Sequence, residues 1–188
     1  MGPARRRRSG WPGARPPREP ARRRTPPAAG AGPPGGVCKS RSVDLSELEA
    51  LAAEDGYLAV VATTRADATV QASVVNAGFA AHPVGGDRQV AFVTYGPVKL
   101  ANLRRTPRAT VVFRAGWRWG AVEGPCELIG PDDAVDGFDP GGLAELLREV
   151  FRSAGGSHDD WDAYDRVMRE QRRTAVFIRP ERIYSNRT

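Results

Sequence analysis

The segment from Thr94 to Arg108, TYGPVKLANLRRTPR, has the residue types and the spacing of an anion-binding site. A β-branched run ends at Thr94, a Gly-Pro turn follows, and Pro97 suits the first turn of a helix. The first turn of a helix presents unpaired backbone N–H groups and the positive end of the helix dipole, and Lys99 lies in that turn. Together with the Thr94 hydroxyl, these groups predict a phosphate site. The alternative is that Lys99 solvates an exposed helix face.

The use of lysine in this chain favours the phosphate interpretation. Only two of the 28 basic residues are lysines, Lys39 and Lys99. Because the composition favours arginine at any basic position, a lysine here indicates that a compact, flexible ammonium group is required. Arg104 and Arg105 follow on the same helix and could hold an acidic cofactor tail. The alternative is a solvated helix end, where the helix dipole favours cations. Of the two interpretations, the sequence favours the solvated helix end.

The run from His158 to Arg166, HDDWDAYDR, could suggest a metal site or a pair of catalytic carboxylates. A helix beginning near Asp159 places these carboxylates at its N-terminal end, where negative charge is stabilising. We therefore expect no catalytic role for them.

Cysteine and histidine usage indicates neither a metal site nor a nucleophile. Cys38 and Cys126 are far apart, and His82 and His158 have no CxxC or HxxxH partner. We expect no metal and a reducing cytoplasm. With no Ser/His/Asp or Cys/His arrangement, the chain fits a redox enzyme in which a cofactor carries the chemistry.

Charge is distributed unevenly along the 188 residues. The whole chain carries a net charge of +6, yet residues 1–42 hold ten arginines, one lysine, one acidic residue and nine of the sixteen prolines. The remaining residues are therefore net acidic, which argues against a nucleic-acid-binding domain. Residues 1–42 have too few apolar residues to offset their ordering entropy, so we expect a disordered tail. A solvated tail, a wrongly assigned start codon, and an arm for nucleic acid or a membrane surface all remain open.

Periodicity and turn residues divide residues 43–188 into one mainly β domain with flanking helices. We expect helices over 44–55, 97–105, 143–154 and 159–173, and strands over 57–64, 70–80, 89–95, 109–114, 117–129 and 174–184. Gly78 is a candidate β-bulge, and Gly124-Pro125 a bend. Strands that cluster with short turns predict a barrel rather than a parallel sheet. No apolar run reaches the roughly 18 residues of a membrane span.

The order and spacing of three segments resemble the pyridoxamine 5′-phosphate oxidase-like family. The segments are TTRADATVQASVVNAGF, TYGPVKLANLRRTPRATVVF and GWRWGAVEGPCELIG, and the resemblance covers roughly Leu58 to Ser185. They are most similar to the actinobacterial branch that uses the deazaflavin coenzyme F420. The resemblance implies a six-stranded antiparallel split β-barrel of the FMN-binding type. Ala68 departs from the family, in which the hairpin turn often has Asp-Gly.

The resemblance also implies which residues bind the cofactor. Thr94, Lys99 and Asn102 match the cofactor-phosphate segment. The strand segment Ser73, Val74, Val75 and Asn76 matches the one that runs beside the ring. Trp117 and Trp119 match positions through which a partner subunit lines the site. Alternation places both tryptophans on one strand face, where each could instead fill the barrel core. A buried Asn76 amide would need a hydrogen-bond partner, for which a ring carbonyl is suitable.

The function implied is that of an F420-dependent oxidoreductase. Such an enzyme passes hydride from the reduced deazaflavin to a small unsaturated or conjugated substrate. The resemblance further implies a cytoplasmic homodimer with the cofactor at the subunit interface. The alternatives are an FMN-dependent oxidoreductase of the same fold and a non-catalytic deazaflavin-binding protein.

Overall fold

The computed structural model describes residues 43–186. The expectations for the tail of residues 1–42, including Cys38, lie outside the described residues. Within them the chain forms four α-helices, α1 (Leu45–Glu54), α2 (Pro97–Arg105), α3 (Leu143–Ser153) and α4 (Trp161–Glu170). The strands are β1 (Leu58–Thr64), β2 (Val70–Ala81), β3 (Arg88–Thr94), β4 (Arg108–Ala115), β5 (Arg118–Ile129), β6 (Thr174–Ile178) and β7 (Arg182–Ser185).

Six of the strands close an antiparallel barrel in the order β4-β1-β2-β3-β6-β5, with β5 pairing back onto β4. The two longest strands each serve two neighbours. In β2, residues 70–76 pair with β1 and residues 77–81 pair with β3. In β5, residues 118–125 pair with β4 and residues 126–129 pair with β6. The predicted six-stranded split β-barrel with flanking helices is confirmed.

The last predicted strand, 174–184, is two strands rather than one. β6 ends at Ile178 and β7 begins at Arg182, on either side of Pro180, which has no N–H to donate to a sheet. The separate β7 pairs with residues 120–123 of β5, outside the six-strand ring. The chain also turns at Trp117 and enters β5 only at Arg118, one residue later than the pattern predicts.

Gly78 is not a bulge, because residues 77–81 of β2 pair regularly with β3. The glycine is needed for a different reason. A Cβ at this position would lie 2.2 Å from the backbone carbon and oxygen of Ser153, at the end of α3. Gly78 therefore lets α3 lie directly on β2, and this contact brings α3 to the groove described below.

The apolar side chains form two cores. The larger fills the barrel and includes Phe79, Phe92 and Phe113. The smaller packs α3 and α4 against the outer face of β3 and β6, around residues such as Leu147 and Phe177. The two helices are thus fixed outside the barrel, against β3 and β6.

Candidate functional site

A groove of about 780 Å³ lies between the barrel and the helices α3 and α4. Strand β2, the end of β3 and the first turn of α2 form one wall, and α3 and α4 form the other. The predicted residues Ser73, Val74, Val75, Asn76, Thr94 and Lys99 all line it. The fold therefore brings together two segments that are separated by about twenty residues of sequence.

Lys99 is the buried cation of this groove, with 6% of its surface exposed. Its ammonium lies 5.3 Å from the centroid of the Phe92 ring. No hydrogen bond or ion pair of Lys99 is found within residues 43–186. Burial lowers the pKa of its ammonium below the ordinary value of 10.5. An unpaired buried charge is costly, so the position suits a residue that receives an anionic ligand.

The N-terminus of α2 adds unpaired donors beside this lysine. Pro97 occupies the first turn, and the N-cap residue Gly96 has no side chain to cap the helix. The backbone N–H of Gly96 donates to the Thr94 hydroxyl oxygen over 3.4 Å. Free backbone N–H groups and the helix dipole both favour an anion here.

Along β2, the side chains that line the groove alternate in exposure. Ser73 and Val75 are half-buried, whereas Val74 and Asn76 are exposed. The Ser73 hydroxyl oxygen is inaccessible and has no hydrogen-bond partner within the described residues. Because buried polar atoms are normally paired, this hydroxyl is a candidate hydrogen-bonding group for a ligand of the groove.

Asn76 is exposed, which corrects the expectation that its amide is buried. Its Nδ2 donates to the Gly56 carbonyl oxygen over 3.1 Å. Its partner on β1, Leu58, is exposed as well, so the amide lies on the solvent-facing side of the two strands.

Asn102 is buried but does not line the groove. Its Nδ2 donates to Thr63 Oγ1 over 3.1 Å and to Gln71 Oε1 over 3.3 Å, and its Oδ1 accepts from Arg105. The amide thus ties α2 to β1 and β2, and Gln71 in turn lines the groove. In this structure Asn102 supports the site rather than facing it.

The two tryptophans lie away from the groove within the single chain. Trp117 is 95% exposed in the turn between β4 and β5. Trp119 packs edge-on against Tyr184, with ring centroids 6.0 Å apart. A role for either one at the cofactor would require a second subunit.

Arg104 and Arg105 are both engaged by the protein. Arg104 donates to both carboxylate oxygens of Asp133, each over 2.7 Å. Arg105 donates to the Thr64 carbonyl oxygen and to Asn102. These contacts favour the interpretation of the pair as a fixed helix end over that of a tail-binding site.

Arg173 is a second groove cation that the sequence pattern did not single out. Its guanidinium carbon lies 4.1 Å from the centroid of the Tyr95 ring, and its side chain donates to Gln171. No ion pair of Arg173 is found in the described part of the chain. Thr94 of β3 pairs with Thr174 of β6 in antiparallel register. Arg173, which precedes Thr174, therefore lies beside Tyr95, which follows Thr94. If the register of β3 against β6 were known in advance, it would identify Arg173 as a groove residue.

The helical wall contributes aromatic residues that sequence reasoning also missed. Phe151, Tyr164 and His158 line the groove from α3, α4 and the loop between them. Phe151 and Tyr164 have ring centroids 5.0 Å apart. The HDDWDAYDR segment thus supplies ring surface to the groove. Its carboxylates behave as expected, since Asp160 caps α4 and Asp165 pairs with Arg148.

Within residues 43–186, no three His, Cys, Asp or Glu side chains come together as metal ligands. No helix in that range is long and apolar enough to cross a membrane.

Comparison with known proteins gives the fold. No family model matches the chain. A conserved hypothetical protein from Mycobacterium tuberculosis is similar, with 19% identity, 78% of this chain and 86% of that chain covered, and a TM-score of 0.55. A heme binding protein from Mycobacterium smegmatis has 15% identity, coverage of 77% and 55%, and a TM-score of 0.50. A protein described as an F420 reductase has 17% identity, coverage of 68% and 89%, and a TM-score of 0.46. At these identities the likeness shows a common fold and no function.

Proposed function

We propose that this groove binds coenzyme F420 and that the protein is a deazaflavin-dependent reductase of small conjugated molecules. The observation that carries the proposal is Lys99, a buried cation with no counter-charge among the described residues, at the N-terminus of α2. The resemblance of the three sequence segments to the F420-using branch supports the choice of cofactor. When bound, the reduced deazaflavin supplies the hydride.

The residues of the groove fit such a cofactor. Lys99, the free N–H groups of α2 and the Thr94 hydroxyl suit its phosphate. The unpartnered Ser73 hydroxyl lies on β2, along which the ring would lie, and can donate to a ring heteroatom. Arg173 has no ion pair within residues 43–186 and suits a further acidic group. Val75 lies on the β2 wall beside the proposed ring position, and the aromatic rings of the helical wall lie across the groove from it.

The protein is further proposed to act as a homodimer. The outer face of β1 and β2 exposes four large apolar side chains, Leu58, Val60, Val70 and Val74. Val60 pairs with Val74 across the two strands, and the pair Ala62 and Ala72 lies between them and Val70, so the outer face is apolar along both strands. Val74 also lines the groove, so a second copy on this face would cover part of it, and the resemblance implies that Trp117 and Trp119 are the residues by which that copy lines the site.

FMN is the second candidate, because the same fold type accommodates it. Proteins of this resemblance that use FMN usually have more arginines around the phosphate. Here Arg104 and Arg105 are engaged by Asp133 and by Thr64 and Asn102, which leaves Lys99 and Arg173 for the ligand. This arrangement favours the deazaflavin.

Titration of the purified full chain with F420 and with FMN, followed by cofactor fluorescence, tests the proposal. We expect tighter binding of F420, and oxidation of reduced F420 when a conjugated ketone is added. A protein that purifies with FMN, or that binds neither cofactor, would overturn it. Hemin, added in parallel and followed by its absorption, is the control for a different planar ligand.

A further inference from the structure

His158 lies on the helical wall of the groove, in the loop that precedes α4. Its ring is held by two aromatic neighbours. The centroid of Trp161 is 6.1 Å away and that of Tyr164 is 5.6 Å away. The side chain is exposed, so a molecule in the groove can reach it.

One ring nitrogen of His158 is already used by the backbone. Nδ1 accepts the N–H of Asp160 over 3.0 Å. A neutral imidazole carries its proton on the nitrogen that does not accept, so this bond places the proton on Nε2. Within residues 43–186, Nε2 has no hydrogen-bond partner. The structure thus leaves one N–H donor, with no partner among the described residues, on a side chain that lines the groove.

We propose that the Nε2–H of His158 donates a hydrogen bond to the carbonyl oxygen of the substrate, which we infer to be an uncharged, planar, conjugated ketone or aldehyde. The inference rests on the proposed function. The rings of Phe151 and Tyr164 provide apolar surface for the planar part of such a molecule. Lys99 and Arg173 are assigned to the anionic cofactor, so the position beside His158 is left for a neutral ligand.

The hydrogen bond has a chemical consequence. With the reduced deazaflavin as the two-electron reductant, a hydride added to the far carbon of a conjugated carbonyl would form a C–H bond and move the π electron pair onto the carbonyl oxygen. The Nε2–H group stabilises the negative charge that develops there, as neutral donors do in oxyanion sites. The enolate then takes a proton from water, which completes a two-electron reduction. His158 keeps its own proton throughout.

The test uses the full chain without cofactor and 4-dimethylaminochalcone as the probe. This conjugated ketone absorbs at longer wavelength when its carbonyl oxygen accepts a hydrogen bond. His158→Phe keeps an aromatic ring but removes the donor, whereas His158→Gln places an amide N–H near the position of Nε2. We expect a red shift with the wild type and His158→Gln, and its loss with His158→Phe while equilibrium dialysis still shows binding. An equal shift with His158→Phe, or no probe binding to the wild type, would overturn the inference.

Two further readouts separate this inference from the proposed function. The cofactor dissociation constant of His158→Phe should equal that of the wild type, whereas kcat/KM for the ketone should fall about tenfold, as for loss of one hydrogen bond. A wild-type chain that shifts the probe spectrum but binds no F420 would refute the cofactor and leave the carbonyl donor standing. If the wild type binds and oxidises reduced F420, and His158→Phe does so with an unchanged kcat/KM, then the hydrogen bond from His158 is refuted and the cofactor assignment stands.

Discussion

The ammonium of Lys99 lies 5.3 Å from the centroid of the Phe92 ring, a barrel-core residue, and this ring is the one favourable partner it has within residues 43–186. A cation–π contact contributes about 0.5–2 kcal/mol. Removing a charge from water without a counter-charge costs more than this. The free protein therefore holds Lys99 at a cost that an anionic ligand would offset.

Replacement of Lys99 should weaken cofactor binding more than turnover. A hydrogen bond to a charged group contributes roughly 1.5–3 kcal/mol, so Lys99→Ala should raise the cofactor dissociation constant about tenfold to a hundredfold. At saturating cofactor, kcat should fall much less, because the contact is with the phosphate. Lys99→Arg should be intermediate, since a planar fork does not reproduce a point charge. An unchanged dissociation constant in a fluorescence titration of Lys99→Ala would show that the phosphate site is wrongly assigned.

The same lysine should make cofactor affinity depend on pH. Burial lowers the pKa of Lys99 in the free protein below 10.5, and an anion binds its charged form. Affinity should therefore be constant at low pH and decline as pH rises through the lowered pKa, before an exposed lysine would titrate. Lys99→Met, which cannot titrate, should bind weakly but without this decline. Parallel titrations from neutral pH to pH 10 measure both, and an identical pH profile for the two proteins would contradict the assignment.

Folding stability should change in the opposite direction over that pH range. Between the lowered pKa and 10.5, the unfolded chain binds more protons at Lys99 than the folded chain does. The free energy of unfolding of the free protein therefore rises with pH in this window, relative to Lys99→Met. Urea denaturation of both proteins at several pH values provides the measurement. If the difference in free energy of unfolding between the two proteins does not vary with pH, then the lowered pKa of Lys99 is refuted.

The elements of this fold could largely be predicted from local pattern. The predicted range 97–105 coincides with α2, and α1 begins directly after Asp44, which caps it by accepting the N–H of Glu47. The groove residues of β2 and α2 were identified because the motif segments contain them. Such predictions succeed where neighbouring residues determine the structure.

Residues that reach the site through tertiary packing could not be found in this way. Arg173 and His158 enter the groove because α4 packs on the barrel and β6 pairs with β3, and neither event leaves a local signal. Asn102 illustrates the converse case, a motif residue whose amide is already hydrogen-bonded within the protein. It lies within the motif, yet its amide is used by Thr63 and Gln71, a choice that depends on the spacing of α2 from the sheet.

Gly78→Ala should disturb the groove from a distance. The added Cβ would meet the backbone of Ser153 at 2.2 Å, so the end of α3 must move, and with it Phe151 and Ala154 of the groove wall. Overpacking of this kind costs about 1–3 kcal/mol. We expect a lower melting temperature and weaker cofactor binding. Gly142→Ala, at the start of the same helix and no closer than 3.7 Å to any neighbour, is the matched control and should change neither. Equal effects of the two substitutions would disprove the close-contact explanation.

Val60→Asp should separate the proposed dimer and weaken cofactor binding with it. Val60 is 39% exposed at the centre of the outer face, between Val74 of β2 and Val112 of β4, and it does not line the groove. A carboxylate there would be buried without a partner in a dimer, which opposes association. In the monomer it would remain in water, so the fold should persist.

Light scattering should therefore show a dimer for the wild type and a monomer for Val60→Asp. Val84→Asp, an exposed valine in the loop between β2 and β3, should leave the dimer intact. If Val60→Asp is monomeric yet binds F420 as tightly as the wild type, then the second subunit does not complete the groove. If the wild type is itself a monomer at micromolar concentration, then the outer face of β1 and β2 is not a dimer interface.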